Sequence, residues 1–440
     1  MSGFAVGIVG IAAMIAMMFL RVPIAIAMLS AGAGGYVVLS GWLPLLAHLK
    51  TGPYLLIASE GFSVIPLFLL MGYIASRAGI SRALFAGAYA FIGHVRGGLA
   101  LAAIGGCAMF GAICGSSLAT AATMGQVALP EMRRRGYSGT LATGTLAAGG
   151  TLGILIPPSL GLIVYGILAE QNIAKLFFAA FLPGVLAAIG YMIAIAVYVR
   201  IRPDAGPAGE RTSLRERLRA LVALLPASSL FLLVLGGIYS GVFTPTEAAS
   251  FGTLGALVVA VVVYGMRWRG LADSLIDTAS ATAMIYMILI GADVFNAFMA
   301  LSGVPQGLAD AIGASGLPPL AVLLLVLLVY LVLGCLMDSI SMILLTLPIF
   351  FPALIGLDFG MTREQTAIWF GILILIVIEV GLITPPVGMN VFVINKLAGG
   401  VPMRDTFRGV VPFLISDAVR VAILVAFPVL SYGLLGLAGW

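Results

Sequence analysis

Apolar runs long enough to cross a lipid bilayer recur along almost the whole of this chain. A span needs at least about 17 predominantly apolar residues. Candidates lie near 3–20, 23–40, 61–77, 138–169, 177–199, 220–240, 246–266, 272–300, 366–395 and 410–436. Two further stretches, near 97–130 and 317–355, are apolar but interrupted. Charged residues make up 9% of the 440 and apolar residues 62%, whereas a soluble domain carries roughly 25% charge. So few charges cannot cover a water-soluble fold. This excludes a cytosolic enzyme, a secreted domain, a nucleic-acid binder and a disordered chain. The fold class is an all-α polytopic membrane protein. A mixed segment with Trp42, Pro44, Lys50 and Glu60 reads as an interfacial amphipathic helix. Cys107, Cys114 and Cys335 lack disulfide or zinc spacing, and His48 and His94 are far apart and read as isolated. The first apolar run leads through Arg21 directly into a second, which is not the pattern of a cleaved signal peptide.

Basic residues set the expected orientation, because cytoplasmic loops carry the excess of Lys and Arg. Arg200, Arg202, Arg211, Arg215, Arg217 and Arg219 crowd one Pro- and Gly-containing linker. Placing that linker inside puts 18 of the 22 basic residues inside; only Lys50, Lys175 and Arg363 fall outside, and Arg420 lies within a span. Both termini are then periplasmic. The count closes only if each interrupted stretch enters and leaves on the same side. They are therefore expected to be re-entrant helical hairpins, one opening inward with its tip at Cys114–Thr120, the other opening outward with its tip at Cys335–Ser341. An ordinary tight pair of helices is the simpler alternative, but broken backbone at membrane depth needs a cavity or ligand to satisfy it.

The two halves also match in order. GILIPPS at 153–159 pairs with GLITPPV at 381–387, with Pro157 and Pro385 228 residues apart. FFAAFLPG at 177–184 pairs with TFRGVVPF at 406–413, and more weakly SRAGIS at 76–81 with LSGVPQ at 301–306. GSSLATAA…LP, from Gly115, pairs loosely with MDSISMIL…LP, from Met337. The expected organisation is a first repeat over 1–199, a basic cytoplasmic linker over 200–219 and a second, inverted repeat over 220–440. Inverted repeats with discontinuous helices mark secondary transporters, whose sites lie where the repeats meet.

Such a transporter needs hard oxygen ligands for a coupling ion, and a helix break supplies carbonyls beside Ser and Thr hydroxyls. The first tip offers Gly115, Ser116, Ser117 and Thr120, and the second Asp338, Ser339 and Ser341. Asp338 is a Na⁺ ligand or proton carrier, or simply the N-cap of the helix that follows. The Pro-Pro elements break the next helix of each half. Around them, Thr151, Gly153, Gly381, Thr384, Gly388 and Asn390 are expected to complete sites opposite the tips, with Thr151, Gly153, Pro157 and Asn390 the candidates to meet substrate. A simple kink is the bland reading. Glu379 and Asp293 are each a coupling group or a structural hydrogen-bond partner; Asp417 and Arg420, three apart, read as a local ion pair. Glu247 in TPTEAAS reads as a helix cap. No G-x-x-x-x-G-K-[ST] motif or catalytic constellation appears.

The motifs RVPIAIAM (21–28), IPLFLLMG (65–72), GAICGSSLATAATMG (111–125), LGILIPPS (152–159), TPTEAA (244–249), LGCLMDSISMILLTLPIFFP (333–352) and GLITPPVGMNVFV (381–393) resemble, in order and over nearly the whole chain, the large membrane subunit of tripartite ATP-independent periplasmic (TRAP) transporters. The resemblance implies a bacterial or archaeal inner-membrane protein that takes up an organic acid with Na⁺ as coupling ion. It implies an elevator-type hairpin domain moving against a scaffold. Its partners would be a separate small transmembrane subunit and a periplasmic substrate-binding protein. It places Na⁺ sites on Ser116, Ser117, Asp338, Ser339, Gly381 and Thr384, with the substrate between the two tips. The rivals are a stand-alone Na⁺ or H⁺ carboxylate symporter, a channel and an intramembrane enzyme.

Overall fold

In lipid every backbone group must find its partner inside the protein, so a chain this apolar folds as helices. The computed structural model describes residues 2–437. Two peripheral helices, α1 (Gly3–Phe19) and α2 (Ile24–Ser40), are followed by α3 (Trp42–Ile57), which leaves Trp42, Leu43 and Tyr54 exposed as an interfacial helix does. Then come α4 (Glu60–Ala78), α5 (Ile80–Ile92), the hairpin α6 (Gly98–Cys114) and α7 (Ser117–Arg134), the broken helix α8 (Gly139–Leu155) and α9 (Leu160–Leu168), and α10 (Ile173–Ile201).

After a linker come α11 (Leu214–Tyr239, with a π turn at Leu232–Gly236) and α12 (Pro245–Val262). The same series then repeats: α13 (Trp268–Ser302), α14 (Val304–Ala314), the hairpin α15 (Pro319–Gly334) and α16 (Ser339–Ile355), the broken helix α17 (Arg363–Gly381) and α18 (Met389–Ala398), α19 (Met403–Ala426) and the short α20 (Val429–Leu437). Among the described residues seven helices are long and apolar enough to cross a membrane, or eight with the bent pair α8–α9.

Several single runs in the sequence are divided in space. The run 138–169 bends by 42° between α8 and α9. The run 366–395 breaks between α17 and α18, and 410–436 at Phe427–Pro428, because Pro cannot continue an α-helical hydrogen-bond ladder. The faint match of SRAGIS with LSGVPQ is an elbow: Gly79 (φ +86°) and Gly303 (φ +72°) each take the left-handed conformation between a long helix and a short one.

The repeats exchange partners. α2 lies along α13, and α12 lies along α4. The second helix of each hairpin rests on the short distal half of the opposite repeat's broken helix, α7 on α18 and α16 on α9. Each hairpin's first helix lies on its own repeat's broken helix, α6 on α8 and α15 on α17. The basic linker is strapped down: its Ala205, Gly206 and Pro207 carbonyls accept bonds from Ser138 N, Gly97 N and Tyr137 OH. The carboxylate of Glu247 accepts from Thr244 N and Oγ1, a capping box for α12.

His48, expected to be isolated, is not. Its Nε2 lies 2.8 Å from Asp293 Oδ2, so that pair fastens α3 to α13. Asp417 and Arg420 form a buried ion pair at 2.7 Å on α19, and Tyr191 OH donates to the other Asp417 oxygen at 2.8 Å.

Membrane helices lack a hydrophobic drive to associate and rely on close backbone approach at small residues. At the crossing of α8 and α19, a Cβ on Gly409 would lie 2.1 Å from the Thr140 carbonyl oxygen, and one on Gly144 would lie 2.3 Å from Gly409. Gly409→Ala should therefore force these helices apart and cost about 1–3 kcal/mol. Gly313→Ala on α14, with open space at its Cβ position, is the control. Thermal unfolding of the purified protein in detergent checks this, and equal melting of the two variants would contradict the contact.

Candidate functional site

Both hairpins turn by abrupt breaks shorter than the seven-residue tips marked in the sequence. α6 ends at Cys114, Gly115 turns with φ +65°, and extended Ser116 starts α7. α15 ends at Gly334, four residues turn, and Asp338 caps α16. The broken helices pass through cis Pro157–Pro158 and cis Pro385–Pro386. Each tip is seated on the broken helix of its own repeat by a glycine pair. A Cβ on Gly111 would sit 2.5 Å from Gly153 Cα, and one on Gly381 would sit 2.5 Å from the Gly334 carbonyl carbon. Leu160 N also donates to Gly115 O at 3.2 Å, joining the first break to the first tip.

The two tips meet at Glu379. This residue is fully buried in α17, one turn before the break. One carboxyl oxygen accepts the hydroxyl of Ser117, and the other accepts that of Ser339 at 2.6 Å. Ser117 and Ser339 are the first residues of α7 and α16, so the N-terminal ends of two helices converge on one carboxyl group. That end of a helix carries partial positive charge and favours an acid. The sequence leaves Glu379 open, as a coupling group or a structural hydrogen-bond partner, and not among the tip and break residues, although it is the sole charge between Glu364 and Lys396.

The remaining candidates separate in space. Asp338 is half-buried and engaged as the cap, accepting from Ser341 N at 3.1 Å and from the Ser341 hydroxyl. Thr120 is fully buried, and its hydroxyl lies beside the Cys114 thiol with no oxygen or nitrogen partner. A Cβ on Gly153 would lie 2.4 Å from Thr120 Oγ1 and 2.7 Å from Ser116 O, so both oxygens pack directly against the glycine backbone. Thr384 donates to Val380 O at 2.6 Å beside the second break. Asn390 is buried with its Oδ1 unpartnered, and its Nδ2 reaches Ala147 O at 3.4 Å.

Thr151 is a correction. Expected opposite a tip, it turns instead to Tyr191 OH at 3.0 Å, within the Asp417–Arg420 network. Pro157 is also enclosed, whereas Pro385, Pro386 and Val387 are exposed, Val387 beside a cavity of about 290 Å³ that Ile15, Val22, Leu336 and Met337 also line. The two breaks are thus equivalent in sequence and unequal in access. Hydroxyl, carbonyl and carboxamide oxygens around the tips are of the type that a hard monovalent cation takes, the Thr120 hydroxyl and the Ser116 carbonyl at the first tip among them.

The comparisons agree with this geometry. The profile described as "Tripartite ATP-independent periplasmic transporter, DctM component" matches residues 11–430. The chain is 38% identical over 371 residues to the C4-dicarboxylate TRAP transporter large permease protein of Pseudomonas aeruginosa, covering 84% of this chain and 85% of that one. It is 32% identical to the sialic acid TRAP transporter large permease protein of Vibrio cholerae, covering 83% of each. It is 30% identical to the ectoine TRAP transporter large permease protein of Halomonas elongata, covering 97% and 98%. The crystal structure of the YdaH transporter of Alcanivorax borkumensis shares the fold, with a TM-score of 0.60 at 15% identity, covering 93% of this chain and 97% of that one. The helical repeats with their paired hairpins and the full-length sequence match lead to one conclusion: the chain belongs to the TRAP transporters, as a large membrane permease subunit.

Proposed function

We propose that this chain is the large transmembrane subunit of a Na⁺-coupled secondary transporter that imports an organic acid handed over by a periplasmic binding protein. A separate small membrane subunit completes the complex. The observation that carries this reading is the meeting of two hairpin tips from opposite repeats at a single buried carboxyl group. Helix breaks held together at mid-membrane depth are where transporters bind ions and substrate. Relatives named for C4-dicarboxylates and sialic acid support a carboxylate substrate.

In this reading Na⁺ supplies positive charge at the tips, so that a substrate carboxylate is not drawn alone into an apolar interior. Ser116, Ser117, Thr120 and the backbone at Gly115 hold one ion at the first tip. Asp338, Ser339, Ser341, Thr384 and the backbone at Gly381 hold another at the second. Asn390, fully buried on α18 with a free oxygen, is the polar group offered to substrate. The hairpins with α8–α9 and α17–α18 then move together against α1, α2, α4 and α11–α13, as an elevator. The protein spans the inner membrane repeatedly, with 1–199 and 220–440 as inverted repeats and both termini outside.

Reconstitution into liposomes tests the assembly. Uptake should require the small subunit, the loaded binding protein and an inward Na⁺ gradient; uptake by this chain alone would favour a stand-alone symporter. Asp338 has two roles that mutation separates. Asparagine caps a helix about as well as aspartate, whereas alanine loses about 1 kcal/mol. Asp338→Asn should therefore melt like the parent protein yet lose Na⁺-driven uptake, and Asp338→Ala should lose both. Unchanged Na⁺ dependence in the Asn variant would restrict Asp338 to capping. Ser116→Ala combined with Ser117→Ala should raise the Na⁺ concentration for half-maximal uptake, and an unaltered titration would remove the first tip from the site.

A further inference from the structure

We infer that Glu379 is a positioning residue that makes the two hairpin tips one cooperative unit, so that a cation bound at one tip strengthens binding at the other. The inference rests on the proposed Na⁺ sites and goes beyond them, because Glu379 need not touch either ion.

A serine hydroxyl has one proton to donate and lone pairs to accept with. At this site the proton's direction is set. Ser117 and Ser339 each donate to a different oxygen of the same carboxyl group, which is fully buried. With both protons directed at Glu379, the lone pairs of both hydroxyls face away from it. Each serine is thereby held as an acceptor, the orientation a cation requires. Without the carboxyl group, either hydroxyl is free to donate to a nearby carbonyl and present its proton to the site.

The same geometry links the tips. The serines are separated by 222 residues and open helices of opposite repeats, yet they share one side chain. An ion that draws one serine into place fixes the carboxyl group, and the fixed carboxyl group places the other serine. Repeat symmetry offers no substitute. The counterpart of Glu379 at the 228-residue offset is Thr151, whose hydroxyl is committed to Tyr191. One acid therefore serves both tips.

Glu379→Gln is the informative change, since it keeps the volume but replaces one acceptor oxygen with an NH₂ donor, so one serine must turn its proton toward the cation site. The experiment measures Na⁺-induced thermal stabilisation of the complex purified in detergent with its small subunit, titrating NaCl against choline chloride at constant ionic strength. The parent complex should be stabilised cooperatively, with a Hill coefficient above 1. In the Gln variant the coefficient should fall to about 1 and half-saturation should rise roughly tenfold, within the usual range of coupling between sites. A Gln variant that keeps the parent's Hill coefficient overturns the inference and leaves the Na⁺ reading intact. A parent complex with no specific response to Na⁺ overturns the Na⁺ reading itself. Ser339→Ala, which cuts the link while leaving Glu379 bonded to Ser117, decides the matter if the Gln variant does not fold. Its titration should also lose cooperativity, and an unchanged coefficient there overturns the inference.

Discussion

A helix in lipid can be broken only where something other than water satisfies its ends. Four breaks, at Gly115–Ser116, Ile156–Ser159, Cys335–Asp338 and Leu382–Gly388, are satisfied by being brought against one another. The Leu160 N–H bonds across to Gly115, the Asn390 N–H bonds back to Leu382, and Asp338 caps its own helix. Most of the architecture follows from this need. The second helix of each hairpin lies against the opposite repeat's broken helix, and the first residue of α7 thereby reaches the Glu379 carboxyl group that Ser339 of α16 shares.

Glycine makes the clustering possible. Gly111 against Gly153 and Gly334 against Gly381 occupy matching places in the two repeats, and in each the missing side chain lets a hairpin settle onto a broken helix at backbone distance. Since lipid offers no hydrophobic reward for joining helices, packing at small residues carries the association. The glycine-rich composition is thus partly structural, and at Gly153 it lets the Thr120 hydroxyl and the Ser116 carbonyl close onto the backbone.

The few charged groups in the interior are sorted by their partners. Asp417 and Arg420 hold each other and Tyr191 in the packing of α10 and α19. Asp293 holds His48 and so ties α13 to α3. Glu379 alone joins two hairpins. Asp338 and Glu379 present the same signal in the sequence, an acid in a long apolar run. Asp338 drew attention because Ser residues surround it, but those neighbours are what it caps. Glu379 has only Ile, Leu and Val in the two turns before it, and its serines arrive from 262 and 40 residues away.

The sequence by itself determined the helical membrane fold, both hairpins, the paired Pro-Pro breaks and the membership of the TRAP large subunits. Those features are written in composition, run length and local motifs. The elbow at Gly79 and Gly303 was legible only faintly, because one glycine in the left-handed region leaves little pattern around it. Only the tertiary structure decided that Thr151 turns to Tyr191, that one Pro-Pro break is enclosed while its twin is exposed, and that Glu379 lies between the tips. The physical reason is that a helix interior is apolar all round in this protein, so sequence periodicity does not say which face meets which neighbour. Rotation of each helix about its axis is set by small-residue packing and by the hydrogen bonds its few polar groups find across the bundle.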